Sequence, residues 1–171
     1  LAGEALAYRV DDAVDYGIRA PVVQAGYAQP YCVMLHMTSR RDKLWPEAAW
    51  SELGRMLALR GFECVLPWGN EEEKRRSERI SRGLAGARIP PFAPVDQLAA
   101  LLGGAAAVVG VDTGLTHLAG ALGRPVTAIY CTSDPQLTGV YGSPVARNLG
   151  GPGVVTSPDE VLQALASVGT F

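Results

Sequence analysis

The chain has 171 residues, 48% of them hydrophobic and 19% charged, with a net charge of −2 and an isoelectric point near 5.7. That describes one globular domain with enough apolar side chain for its own core, and its acidic balance excludes a nucleic-acid or membrane-surface role driven by basic charge. Three cysteines, Cys32, Cys64 and Cys131, sit in apolar runs without metal-ligand spacing, so buried thiols in a reducing compartment, the cytosol, are expected rather than disulfides.

Residues 1–30 carry little pattern. Ala2 to Tyr8 reads as the end of a helix, and Asp11 to Gly17, followed by Pro21 and Pro30, reads as an extended linker. No secretory leader is read there, and Leu1 in place of methionine is taken as the mark of a piece of something longer. The domain proper is expected over 31–171. Its longest uncharged apolar run, Leu98 to Val111, is 14 residues with two adjacent glycines, too short to cross a bilayer.

Tyr31 to Met37 is a buried strand, with His36 read as a hydrogen-bonded core histidine. Thr38-Ser39-Arg40-Arg41-Asp42-Lys43 is a polar loop at its carboxyl end. Pro46 at the first position then opens a helix with Trp50, Leu53 and Leu57 inward and Gly61 past its end. Two hydroxyls, two arginines and a lysine in one loop form an anion cradle, with Lys43 as a point charge for a diphosphate; a merely solvated loop has the same composition. Phe62 to Leu66 is the next strand, and Pro67-Trp68-Gly69 leads into a charged helix from about Asn70. Four-residue spacing pairs Glu71 with Arg75 and Glu72 with Arg76, leaving Glu73 without a partner. Glu73 is therefore the carboxylate at a strand end most available to ribose hydroxyls.

Ile89 to Pro94 is proline-rich and extended, after which Asp96 is expected to cap a short helix with Leu98, Leu101 and Leu102 inward, ending at Gly103-Gly104. The stretch from Ala105 to Tyr130 is strand, tight turn, helix, strand. Small and β-branched residues run into Gly110-Val111-Asp112-Thr113-Gly114; Leu115, Leu118, Ala119 and Leu122 follow at helical spacing; Gly123 stops the helix; and Pro125 to Tyr130 is a second strand. Such a βαβ unit implies a parallel sheet, whose ligands sit at the carboxyl ends of strands. Asp112 is placed to cap the helix, the free N–H groups of Thr113, Gly114 and Leu115 suit a phosphate, and Gly114 lets it come close. Thr113 and His117 share a helix face away from the leucines, although the pattern alone equally describes a surface histidine. Thr132 to Pro144 is loop-rich, Val145 to Leu149 is a short edge strand, and Ser157-Pro158-Asp159-Glu160 is a capping box opening a last amphipathic helix with Val161, Leu162, Leu165 and Val168 inward.

The motifs Thr38-Ser39-Arg40 with Lys43, Trp45 and Pro46; Leu66-Pro67-Trp68-Gly69 with Glu73; Val111 to His117; and Asp134-Pro135 with Gly139-Val140-Tyr141-Gly142 resemble, in order and spacing, the carboxyl-terminal half of the ADP-heptose:lipopolysaccharide heptosyltransferases of glycosyltransferase family 9. The resemblance covers roughly residues 31–145, and the last motif is closer to the first heptosyltransferase of inner-core synthesis than to the second. Arg41, where the family often has an acid, and Cys131-Thr132, where glycine and proline are usual, depart from it.

This resemblance implies an α/β, Rossmann-like parallel sheet with helices on both faces, the C-terminal half of a GT-B enzyme, with residues 1–30 as interdomain linker and 31–171 as the nucleotide-sugar domain. It implies transfer of heptose from ADP-heptose to a Kdo-lipid A acceptor, with inversion and without a metal or other cofactor. By position, Thr38, Ser39, Thr113 and Gly114 would hold the diphosphate and Lys43 would neutralise it. Glu73 would take the ribose and the backbone near Ala93 would border the adenine. Asp112 would hold sugar hydroxyls or cap its loop, and His117 would lie beside the phosphates. The implied partners are the ADP-sugar, an amino-terminal acceptor domain that supplies the general base, and the lipopolysaccharide core at the inner membrane surface; no nucleic acid is implied. No Asp-x-Asp metal motif occurs.

Rival classes fare worse. A dehydrogenase needs a glycine-rich turn after its first strand, and the loop after Met37 has no glycine. An α/β-hydrolase with Asp112 as nucleophile needs a histidine far downstream, and the two histidines are His36 and His117. The alternatives left open are a non-catalytic nucleotide-sugar binding module and a family 9 relative using another donor.

Overall fold

The computed structural model describes residues 7, 14–21, 26–27 and 30–170. The helix end expected at Ala2–Tyr8 lies, but for Ala7, outside these residues, as do Asp11 to Ala13 of the expected linker.

Five strands form one parallel sheet: β1 (Tyr31–Leu35), β2 (Glu63–Val65), β3 (Ala107–Val111), β4 (Val126–Tyr130) and β5 (Ala146–Gly150), in the order β2-β1-β3-β4-β5. The central strands are buried at every position, as near-continuous apolar runs in a parallel sheet must be. Side chains alternate between the faces. Cys32 and Met34 join one core cluster with Trp50, Leu53 and Ile80, while Tyr31, Val33 and Leu35 join the other with Leu102 and Ala119. The first cluster lies under α1 (Glu47–Ala58), α2 (Glu71–Ser81) and α6 (Pro158–Ser167); the second lies under α3 (Val95–Gly104) and α4 (Gly114–Ala121). A one-turn helix, α5 (Pro135–Thr138), precedes β5.

Local chemistry explains most boundaries. Trp50, Leu53 and Leu57 are fully buried on α1, and Gly61 has φ +80°, the left-handed region that glycine tolerates after a helix. Ser157 and Glu160 make both hydrogen bonds of a capping box at α6. Two helix-opening assignments based on single residues shift here. Pro46 is the cap of α1 and not its first residue, and Asp96 lies in the first turn of α3, whose cap is Pro94. On α4 the fully buried side is Thr116, Ala119 and Gly120, while Leu115, Leu118 and Leu122 are half-buried at its flanks. The helix packs through small residues because Gly110 of β3 meets Thr116 directly: a Cβ at Gly110 would run into the Thr116 hydroxyl.

The pairs expected along α2 do not form. Arg76 turns inward to Glu47 at 3.0 Å, Glu72 meets Arg41 at 3.1 Å, and Glu71 and Arg75 make no ion pair among the described residues. Burial of Arg76 beneath α1 decides this, because a guanidinium taken out of water needs a carboxylate on the element that covers it. His36 is buried as expected, with Nε2 2.8 Å from Ser77 Oγ. Burial first, and then the Arg76 charge, lower its pKa to about 3, so it is neutral. The Cys32 and Cys64 thiols are buried and their pKa values are pushed up by that burial.

Candidate functional site

The chain goes out from β1 to β2 on one side of the sheet and from β3 to β5 on the other, so the connection order reverses between β1 and β3. Loops leaving the carboxyl ends of two such strands diverge to opposite faces and leave a crevice where ligands of open α/β sheets bind. The register holds Leu35 beside Gly110 and Val111 beside Ile129, which sets the ends of β1, β3 and β4 level. Lys43 follows β1, Asp112 follows β3 and Ser133 follows β4. Across the crevice Lys43 Nζ donates to Asp112 Oδ2 at 2.7 Å, and Ser133 Oγ donates to the same oxygen at 2.6 Å.

Lys43 is held there by the turn that ends at it and by the packing just beyond it. It closes a single 3-10 turn, Arg41–Lys43, and Trp45 just beyond is buried against Trp50 with ring centroids 5.0 Å apart. The Trp45 indole donates to Thr156 O at 2.9 Å, while Arg76 donates to Trp45 O at 2.7 Å. A second bridge runs over the same loop. Arg40 donates to Asp42, and Thr132 Oγ1 donates to Asp42 Oδ2 at 3.1 Å, tying the loop after β4 to the loop after β1.

Asp112 does not cap α4. The cap residue is Thr113, and no side chain of the described residues caps that helix. The carboxylate faces the crevice instead because Lys43 and Ser133 offer it two strong hydrogen bonds there. Burial alone would raise its pKa, but the hydrogen bonds from Lys43 and Ser133 and the charges of Lys43 and His117 outweigh burial and hold it below the ordinary carboxylate value. His117 Nε2 lies 3.7 Å from Asp112 Oδ1, so the helical spacing brings it to the same site. The site thus holds an ammonium, a carboxylate, an imidazole and an uncapped helix amino end.

The remaining candidates are spread around this centre and beyond it. Thr38 is half-buried and Ser39 exposed on the loop after β1, and the hydroxyls of Thr38, Ser39 and Thr113 make no hydrogen bond among the described residues. A Cβ at Gly114 would meet nothing within 4 Å, so the start of α4 is open. Gly114 and His117 line a cavity of about 350 Å³ with Tyr16 and Tyr141. Ala93 borders a larger groove of about 820 Å³ beside α3, lined by Phe92, Leu98 and Tyr27, in which Lys43 and Asp112 take no part. The charged groups meet in the crevice, not in the larger groove.

Glu73 has partners after all. Its Oε2 accepts from Gly69 N at 2.7 Å and its Oε1 from Asn70 Nδ2 at 2.9 Å, while its own N–H donates to Asn70 Oδ1. Four-residue pairing does not show this, whereas the cap spacing Asn70-x-x-Glu73, the same as Ser157 to Glu160, is the signal that could have found it. Ser133 and the Arg76 support of Trp45 were not legible as site residues. Ser133 precedes the Asp134-Pro135 motif, but only the sheet order brings it to Asp112.

A profile of glycosyltransferase family 9 (heptosyltransferase) matches residues 10–158. The chain belongs to this family. Its sequence is 41% identical over 144 residues to lipopolysaccharide heptosyltransferase 1 of Pseudomonas aeruginosa, covering 83% of this chain and 41% of that protein. To the Escherichia coli protein of the same name it is 45% identical over 115 residues, covering 67% of this chain and 36% of that one. The fold superposes on a solved structure of E. coli heptosyltransferase WaaC with ADP at a TM-score of 0.85, with 34% identity over 98% of this chain and 54% of that one. A second structure, of the same enzyme with ADP-2-deoxy-2-fluoro heptose, gives 0.80 at 34% identity over 96% of this chain and 52% of that one. The sheet is therefore the Rossmann-like fold of the carboxyl-terminal half of a GT-B family 9 protein, and the chain spans less than half the length of these two curated relatives. Among the described residues no group of three or more His, Cys, Asp or Glu side chains could hold a metal ion.

Proposed function

We propose that this chain is the donor-binding domain of a heptosyltransferase that moves heptose from ADP-heptose to the Kdo-lipid A inner core of lipopolysaccharide, with inversion and without a metal. Lys43 paired with Asp112 across the crevice between β1 and β3 carries this reading. It is supported by the likeness of nearly the whole chain to a family 9 enzyme solved with ADP. A departing nucleoside diphosphate gains negative charge, and the Lys43 ammonium, the N–H groups at the start of α4 and the hydroxyls of Thr38, Ser39 and Thr113 are fixed dipoles and charge in a partly dry site that can stabilise it. Asp112, released from any capping duty, takes hydroxyls of the sugar, and His117 stands beside the phosphates.

Glu73 takes the ribose through the lone pairs its turn leaves open, and the backbone near Ala93 borders the adenine. Residues 31–171 form this nucleotide-sugar domain and residues 1–30 the linker to an acceptor domain. Inversion requires a base on the acceptor hydroxyl, and that group comes from the acceptor domain. The enzyme works in the cytoplasm, meeting its lipid acceptor at the inner membrane surface through that domain.

Calorimetric titration of the 171-residue chain with ADP, UDP and GDP tests the reading. ADP should bind with the highest affinity, and amide shifts should cluster at Thr38 to Lys43, Glu73 and Asp112 to His117. Binding confined to UDP overturns the donor assignment, and heptose transfer by the 171-residue chain alone overturns the division between the two domains.

A further inference from the structure

Asp112 Oδ2 accepts two hydrogen bonds, one charged and one neutral. Lys43 supplies the charged one at 2.7 Å and Ser133 the neutral one at 2.6 Å. A diphosphate at the crevice competes for the Lys43 ammonium, whose three protons must then serve two anions. Ser133 is uncharged, so a diphosphate draws on it far less strongly than on the ammonium. Its single hydroxyl proton goes to Asp112, and its position is fixed on both sides in sequence: Thr132 is tied to Asp42, and Asp134 caps α5 by accepting from Gln136 N at 2.8 Å.

We infer that Ser133 is a positioning residue for donor use, holding the Asp112 carboxylate in place through Oδ2, with Oδ1 left for a sugar hydroxyl, once the donor's diphosphate draws on Lys43. This rests on the donor-site reading above. Lys43 and His117 meet Asp112 directly, while the charge of Arg40, from the loop after β1, and the Tyr130 phenol, at the end of β4, act on it at longer range. With Lys43 shared, Ser133 is the neighbour whose bond does not depend on how the ammonium divides itself. A hydroxyl at this position is thus matched to Asp112, not a solvated loop residue.

The test follows the Asp112 carboxyl carbon by NMR through a pH titration of the 171-residue chain, with and without saturating ADP, in wild type, Ser133→Ala and Ser133→Thr; His117 ring signals are followed in the same samples. Loss of the hydroxyl should move the Asp112 midpoint to higher pH, and further with ADP bound than without, while threonine restores it. ADP affinity should stay within about threefold of wild type, since the hydroxyl acts on Asp112 and not on the phosphates. Equal midpoints for wild type and Ser133→Ala in the ADP-bound chain overturn the inference, even if the alanine variant melts earlier, because a purely structural hydroxyl moves the melting temperature without moving that titration. Failure of the wild-type chain to bind ADP overturns the donor-site reading and the inference with it, so the two failures are told apart.

Discussion

Replacing Asp112 by asparagine should tighten ADP binding while it weakens the fold. The Asp112 carboxylate lies 2.7 Å from the ammonium proposed to meet the diphosphate, and its side chain is only 10% exposed. A carboxylate and a phosphate oxygen about 5 Å apart repel by roughly 3 kcal/mol at an effective dielectric of about 20. Screening by solvent and salt in the open crevice reduces this to about 1–2 kcal/mol. Asparagine removes the repulsion and frees Lys43, so the dissociation constant should fall by about 5- to 30-fold. The same change leaves Lys43 without its carboxylate. Because the Lys43 side chain is 19% exposed and can reach water, the loss of stability should be about 1–2 kcal/mol, or roughly 2–8 °C in melting temperature, and not the larger figure for a fully buried broken pair. Calorimetry at low and high salt, with thermal melts alongside, is the assay. The gain in affinity should shrink at high salt; unchanged or weaker ADP binding at low salt would refute the electrostatic account of the crevice.

Lys43→Ala should act in the opposite direction, weakening ADP by about 10- to 100-fold, the range for losing a hydrogen bond to a charged group, and an unaltered affinity by the same calorimetry rejects its role at the diphosphate. Gly114→Ala and Gly110→Ala form a contrasting pair. The first adds a methyl to open space and should leave the melting temperature nearly unchanged while obstructing the phosphate, whereas the second drives a Cβ into Thr116 and should lose about 1–3 kcal/mol in urea unfolding. Equal behaviour of the two glycine variants would show that the start of α4 is not an approach surface. His36 sets an acid limit on stability: its folded pKa of about 3 lies below the unfolded value of about 6.5, so the unfolded chain binds the extra proton between them. Stability is therefore complete above about pH 6.5 and falls by about 1.4 kcal/mol per pH unit below it, reaching about 3 kcal/mol lost by pH 4. Urea midpoints in that window should flatten in His36→Gln, and a slope that survives the substitution excludes His36 as its source.

Local signals in the sequence were enough for the elements themselves. Apolar runs bounded by glycine and proline gave β1, β3 and β4, the Trp50, Leu53, Leu57 spacing gave the inner face of α1, and Ser157 with Glu160 gave the start of α6. These depend on neighbours within one or two turns, so no tertiary knowledge is needed. The Asp112 to His117 turn and the Thr38 to Lys43 loop stood out as candidate anion-binding loops for the same reason. The sequence could not say that these loops meet. Lys43 and Asp112 are 69 residues apart, and their contact follows from the strand order β2-β1-β3-β4-β5, which places the switch in connection between β1 and β3. The partner of each charge was likewise decided in three dimensions. Asp112 faces Lys43 instead of its helix, and Arg76 faces Glu47 instead of Glu72. A charged side chain takes the partner that burial brings to it, and spacing along a helix ranks only the partners on that helix.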